Sequence, residues 1–184
     1  MKDFKKVMLT SPQKVKESGN LNLNVSDEVI GAAIRTAQSV YLQDVVGEDL
    51  IEALQEKVYN KIQGASANTI DSEENVAYKT LLDEYFTPAL ISKTVVDIAL
   101  RISLKIRNMG VVQNQDGMNV QKVDLDDIKF LQSSEETYYN HYLNRMADFL
   151  CANKGAIPES KFDCECSPKR KFANTNLWLG NKLL

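Results

Sequence analysis

Three kinds of residue in this chain could carry chemistry: its single histidine, its three cysteines and its adjacent carboxylates. His141 sits among Tyr138, Tyr139 and Tyr142. A histidine-based triad needs a nucleophile and an orienting acid converging on the imidazole. No Gly-x-Ser-x-Gly elbow and no phosphate-cradling glycine loop accompanies it, so His141 reads as a helical-surface or packed residue. Asp126-Asp127 and Glu135-Glu136 are sequence neighbours, and neighbours on a helix point in different directions. They read as solvated charges rather than metal clamps. Cys151, Cys164 and Cys166 are odd in number, with Cys-x-Cys spacing that is not a disulfide framework. Two thiolates could reach a metal, but zinc takes four ligands, so free, reduced thiols are expected. No catalytic set, metal site or cofactor is expected.

Binding chemistry is confined to two places. Lys169-Arg170-Lys171 could touch phosphates or an acidic protein, yet Lys+Arg 22 against Asp+Glu 25 leaves a net charge of −3. A protein that grips nucleic acid needs a basic balance or patch, and no helix-turn-helix with a basic recognition helix is present. The end of the chain, Leu177-Trp178-Leu179, is apolar and carries the only tryptophan. Tryptophan is an enriched interface anchor, so this tail either folds back onto the body or docks on a partner.

The elements around these residues are read as helices. With 184 residues, 43% hydrophobic and 26% charged, the composition is that of one globular domain with a tail. Eight glycines and four prolines leave room for long helices. Thr10-Ser11-Pro12 starts a short helix that Gly19 ends. Ser26 caps a second, whose buried face is Ile30, Ile34, Ala37, Tyr41 and Val45. Gly47 breaks it; a third helix follows to Gly64, and Ser72 caps a fourth that buries Tyr78, Leu81, Leu82, Tyr85 and Phe86. Thr87-Pro88 is expected to stop that helix and start the central one, Pro88–Asn108, with Gly110 as a left-handed cap. Five charges within the longest apolar stretch, Pro88 to Met109, preclude a membrane span, and the basic start lacks a signal-peptide core. A soluble cytosolic product is therefore expected. A β-hairpin is expected over 111–123, turning at Asp116-Gly117. A last helix begins after Asp124, buries Leu125, Ile128, Leu131, Tyr138, Tyr142, Met146 and Phe149, and ends near Asn153. The fold class is thus all-α: a bundle around a long central helix (residues 1–155), a projecting hairpin, and an extended tail (156–184).

The order of motifs resembles the head–tail connector (adaptor) proteins of tailed phages. Ala37-Gln38 followed by Tyr41-Leu42-Gln43-x-Val45-Val46-Gly47-x-x-Leu50-x-x-x-Leu54 is similar to their opening. Tyr78-x-x-Leu81-Leu82-x-x-Tyr85-Phe86-x-Pro88 is similar to their middle helix junction. Asn108-x-Gly110-Val111, a ribbon, a Tyr-rich helix and Ile157-Pro158-Glu159 resemble the version in crAss-like phages. The tail segment with Cys164-Glu165-Cys166 and Lys169-Arg170-Lys171 has no counterpart. The resemblance implies a non-enzymatic virion protein of the neck. It would form a ring of copies, usually twelve, beneath the portal, passing genomic DNA without specific binding and docking the next neck or tail component. In the family the C-terminal segment commonly reaches the portal, so portal or neighbour docking is expected of the tail residues Lys169, Arg170, Lys171, Leu177, Trp178 and Leu179. Contacts between subunits would come from the ribbon residues Val111, Val112, Asp116, Gly117, Val120 and Val123. The alternative reading from the sequence is a helical DNA-binding packaging protein of small-terminase type.

Overall fold

The computed structural model describes residues 3–19, 25–107, 110–113, 125–160 and Cys164. After a 3₁₀ turn (Asp3–Lys6), α1 runs from Pro12 to Ser18. Its start is set locally. Ser11 is extended and its hydroxyl accepts from the Lys14 N–H at 3.2 Å, while Pro12 occupies a first-turn position where its missing N–H costs nothing. α1 ends where it meets the core. A Cβ on Gly19 would lie 2.7 Å from both the Val15 carbonyl and Val95 Cγ2, so only glycine allows this approach to the central helix.

α2 (Asp27–Thr36) passes without a break through a π-helical segment (Ala37–Leu42) into α3 (Gln43–Val46). Gly47, at φ 91°, then redirects the chain into α4 (Glu48–Ile62). A left-handed Gly64 (φ 69°) follows α4. In the loop beyond it, Ser72 Oγ accepts from the Thr69 N–H rather than capping the next helix. A 3₁₀ turn (Glu73–Asn75) leads into α5 (Val76–Thr80), a second π-helical segment (Leu81–Phe86) and α6 (Thr87–Ser103). α7 (Leu125–Ala152) closes the bundle.

The π segments correct the expected register. A π turn inserts one residue, so the buried stripe takes one step of five instead of three or four. In the first case burial passes from Ile30, Ile34 and Ala37 to Leu42 and Val46, and Tyr41 turns outward. In the second it passes from Leu81 to Phe86 and then to Leu90. The expected helix boundary at Thr87-Pro88 is absent. Thr87 is helical (φ −61°, ψ −46°) and its N–H reaches back to the Leu82 carbonyl. Proline has no N–H to give the preceding turn, and the chain absorbs this by widening one turn rather than by stopping.

The helix through Pro88 is therefore longer at its start and shorter at its end than expected, finishing at Ser103 instead of Asn108. From there β1 (Leu104–Arg107) pairs antiparallel with β2 (Gly110–Gln113), placing Ile106 opposite Val111 and Lys105 opposite Val112. Gly110 begins a strand and does not cap a helix. The hairpin expected over 111–123 is thus not the one observed: Val111 and Val112 pair backward with the end of the central helix. β-branched Ile106, Val111 and Val112 favour that pairing. Asp116, Gly117, Val120 and Val123 lie outside the described residues.

α6 packs on α7 most extensively, and also on α1, α2 and both π segments, so it is the element the others surround. Its contribution to the core includes Ala89, Leu90, Ile91, Val95 and Ile98. These meet Leu50 and Leu54 of α4 and Leu143, Met146 and Leu150 of α7 in one cluster. Each fully buried side chain of this size contributes about 1.5–3 kcal/mol relative to exposure. Two buried glutamines fasten the N-terminal segment. Gln38 accepts from the Leu9 N–H (3.0 Å) and donates to the Val7 carbonyl (3.3 Å); Gln55 donates to the Lys5 and Val7 carbonyls. Beyond α7, Ile157 and Ser160 remain buried, and Tyr78 donates to the Glu159 carboxylate.

Candidate interaction surface

The residues expected to be chemically idle can now be placed. His141 is exposed, with its ring 5.4 Å from that of Tyr142. Among the described residues, no three His, Cys, Asp or Glu side chains are grouped to hold a metal. Free thiols were expected, and this is corrected: Cys151 and Cys164 form a disulfide. The turn at Asn153–Ala156 and the buried Ile157 fold the chain back after α7, which brings Cys164 beside the helix end. Spacing along the chain could not reveal that return.

The carboxylate pair is also resolved. Glu136 forms an ion pair with Lys93 of α6, whose ammonium lies 4.4 Å from the ring centre of Tyr139 and 4.9 Å from that of Tyr41. The Tyr139 hydroxyl donates to the Tyr41 carbonyl at 3.3 Å. One lysine thus joins the first π segment, α6 and α7. Burial, reinforced by the negative charge of Glu136, pushes the Tyr139 phenol above its ordinary range.

Large apolar side chains on the first π segment and on α7 are exposed, and two of them, Tyr41 and Tyr138, are ones that helical spacing assigns to the core. Val40 is 50% exposed, Tyr41 40%, Tyr138 55% and Phe130 76%. The π turn moved Tyr41 outward. On α7 the buried stripe is Tyr139, Leu143, Met146 and Leu150, one residue on from the expected Tyr138 and Tyr142. Both stripes have helical spacing, so only packing against α6 selects between them. Of the residues expected to make contacts, Val111 and Val112 stand in β2, apart in the chain from these exposed side chains. Lys169, Arg170, Lys171, Leu177, Trp178 and Leu179 lie outside the described residues.

The profile of one protein family, described as a family of unknown function (DUF6712), matches residues 42–170, more than half of the chain. The chain belongs to that family. The matched stretch begins inside the first π segment and takes in α4 through α7, so the central helix, the Lys93–Glu136 pair and the disulfide are all within it. No curated protein and no solved structure matches the chain. No helix among the described residues is long and apolar enough to cross a membrane.

Proposed function

We propose that this member of the family is a structural protein of a tailed-phage virion, a head–tail connector that assembles as a ring beneath the portal. The observation that carries the reading is the order of the resembling motifs and where they fall on the fold. The first motif starts on the first π segment with Tyr41-Leu42 and continues through α3 into α4, and the second overlaps the second π segment with Leu81-Leu82-x-x-Tyr85-Phe86 before reaching Pro88 in α6. The order and spacing of these motifs along the chain support the reading, and both overlap a turn that sets the register of the bundle.

The exposed Val40, Tyr41, Phe130 and Tyr138 are apolar groups available to a neighbouring copy. Heterologous contacts of that kind close into a ring when the rotation permits. In this reading Val111 and Val112, with Asp116, Gly117, Val120 and Val123, belong to a segment that adds subunit contacts. The tail residues Lys169–Lys171 and Leu177–Leu179 dock on the portal or on a neighbour, and a further neck or tail protein binds the ring. The net charge of −3 suits a channel through which DNA passes without being held.

Electron microscopy of virions tests the assignment. A ring of this chain between portal and tail is expected; finding it in the capsid shell, in the fibres or outside the particle overturns the reading. Measuring DNA affinity against salt concentration tests the packaging-protein alternative, because tight binding with steep salt dependence would favour it.

A further inference from the structure

A groove of about 560 Å³ runs between α1, the start of α6 and α7, on a flank of the bundle whose use the connector reading leaves open. Pro88, Ile91, Leu131 and Tyr142 give it an apolar lining, and Asp83 and Glu135 give it acidic groups. Lys14 already faces Asp83 at 3.9 Å, whereas Glu135 has no cationic partner among the described residues. The hydroxyl of Thr87, on the same wall, is buried without a hydrogen-bond partner among the described residues.

We propose that this groove is the seat of the chain's own C-terminal segment in the free protein. Trp178 and its flanking leucines would occupy the apolar lining, and Lys169-Arg170-Lys171 would face Glu135 and Asp83. Three arguments select this occupant. The first is composition: the segment has a basic run followed by an apolar end, and the groove offers the complementary pair of features. The second is reach. The disulfide holds Cys164 at Cys151, and Glu135 lies about 24 Å from Cys151 along α7, at ~1.5 Å per residue. Fully extended, the chain from Cys164 reaches about 25 Å at Lys171, enough for its side chain to meet Glu135, and about 46 Å at Trp178. The third is tethering, which gives a segment on the same chain an effective concentration of about a millimolar, so modest contacts suffice. The docking itself does not depend on the connector reading. Where that reading holds, the groove keeps the tail from a portal until assembly displaces it.

Trp178 is the only tryptophan, so its fluorescence in the full-length protein reports this contact alone. Expected is a blue-shifted emission, poorly quenched by acrylamide and independent of protein concentration. Glu135→Lys is expected to lower the docked-to-free ratio about fivefold, the scale of one partly screened ion pair, moving emission toward the denatured value with unchanged far-UV circular dichroism. Leu131→Asp is expected to act in the same direction through the apolar lining. A solvent-like emission in the unmodified chain overturns the proposal. So does a shielded Trp178 indifferent to Glu135→Lys, which places it elsewhere, or shielding lost on dilution, which makes the occupant a second copy.

Discussion

The Lys93–Glu136 pair offers the sharpest test of how the bundle is held. Its side chains are only 12% and 20% exposed, so both charges are largely withdrawn from water. Removing one partner of a fully buried pair costs about 3–5 kcal/mol, chiefly because the other charge is left uncompensated. Residual exposure scales this down. Lys93→Met strands Glu136 and also removes the cation from two tyrosine faces, each interaction being worth about 0.5–1 kcal/mol. A loss of about 2–3 kcal/mol is expected. Glu136→Gln leaves the ammonium over Tyr41 and Tyr139 and keeps the side-chain shape, so about 1–2 kcal/mol is expected. The double variant no longer contains an orphaned charge. It should be less destabilised than the sum of the two, with a coupling of about 1–2 kcal/mol, within the range for residues in contact. Urea unfolding followed by circular dichroism measures all four corners of the cycle. A coupling near zero would refute the reasoning, because it would mean that the pair is solvated and that Lys93 does not join the three elements.

Gly19→Ala is expected to cost about 1–3 kcal/mol, since its Cβ would meet the Val15 carbonyl and Val95 at 2.7 Å; Gly64→Ala, in open space, should cost only the left-handed backbone penalty of about 1 kcal/mol. Cys151→Ser opens a loop with a separation of 13 residues and should cost up to about 3 kcal/mol, less where the hydrogen bonds over Asn153–Ser160 already order it. In the unreduced protein, alkylation followed by mass spectrometry should label one cysteine, Cys166, and three labels would contradict the pairing. At alkaline pH the unfolded chain releases the Tyr139 proton from the ordinary value of 10.0 upward, while the folded chain retains it. Stability is therefore complete below pH 10 and falls above it, by up to about 1.4 kcal/mol per pH unit for one such group. Tyr139→Phe should flatten that slope in thermal melts.

Much of the architecture was legible because it rests on local chemistry. Ser11-Pro12 started α1, Gly47 and Gly64 ended helices, and the apolar run from Pro88 predicted the element that the others surround. Each follows from backbone freedom, a missing N–H or a run of apolar side chains, and none needs a distant partner. The candidate surface was less legible. Tyr41 and Tyr138 fit a buried stripe as well as their neighbours do; a periodicity argument cannot see the π turn that moves Tyr41 outward, nor the packing on α6 that selects the stripe beside Tyr138.

The same division explains the other differences. A proline reads as a helix end when only its missing N–H is considered; the contacts around Leu81–Phe86 instead hold a widened turn that carries the helix past Pro88. Val111 and Val112 read as strand residues by type, yet their pairing with Ile106 and Lys105 was set by where the central helix stops. Cys151 and Cys164 meet because Ile157 is buried and the chain turns back on α7. By itself the sequence determined most of the helical segments though not where the central one ends, where glycine is needed, and that the chain is weakly acidic. Only the tertiary structure decided which face of each helix is buried, which strand pairs with which, and which cysteines meet. Those outcomes depend on competition among distant side chains for the same core, which spacing along the chain does not record.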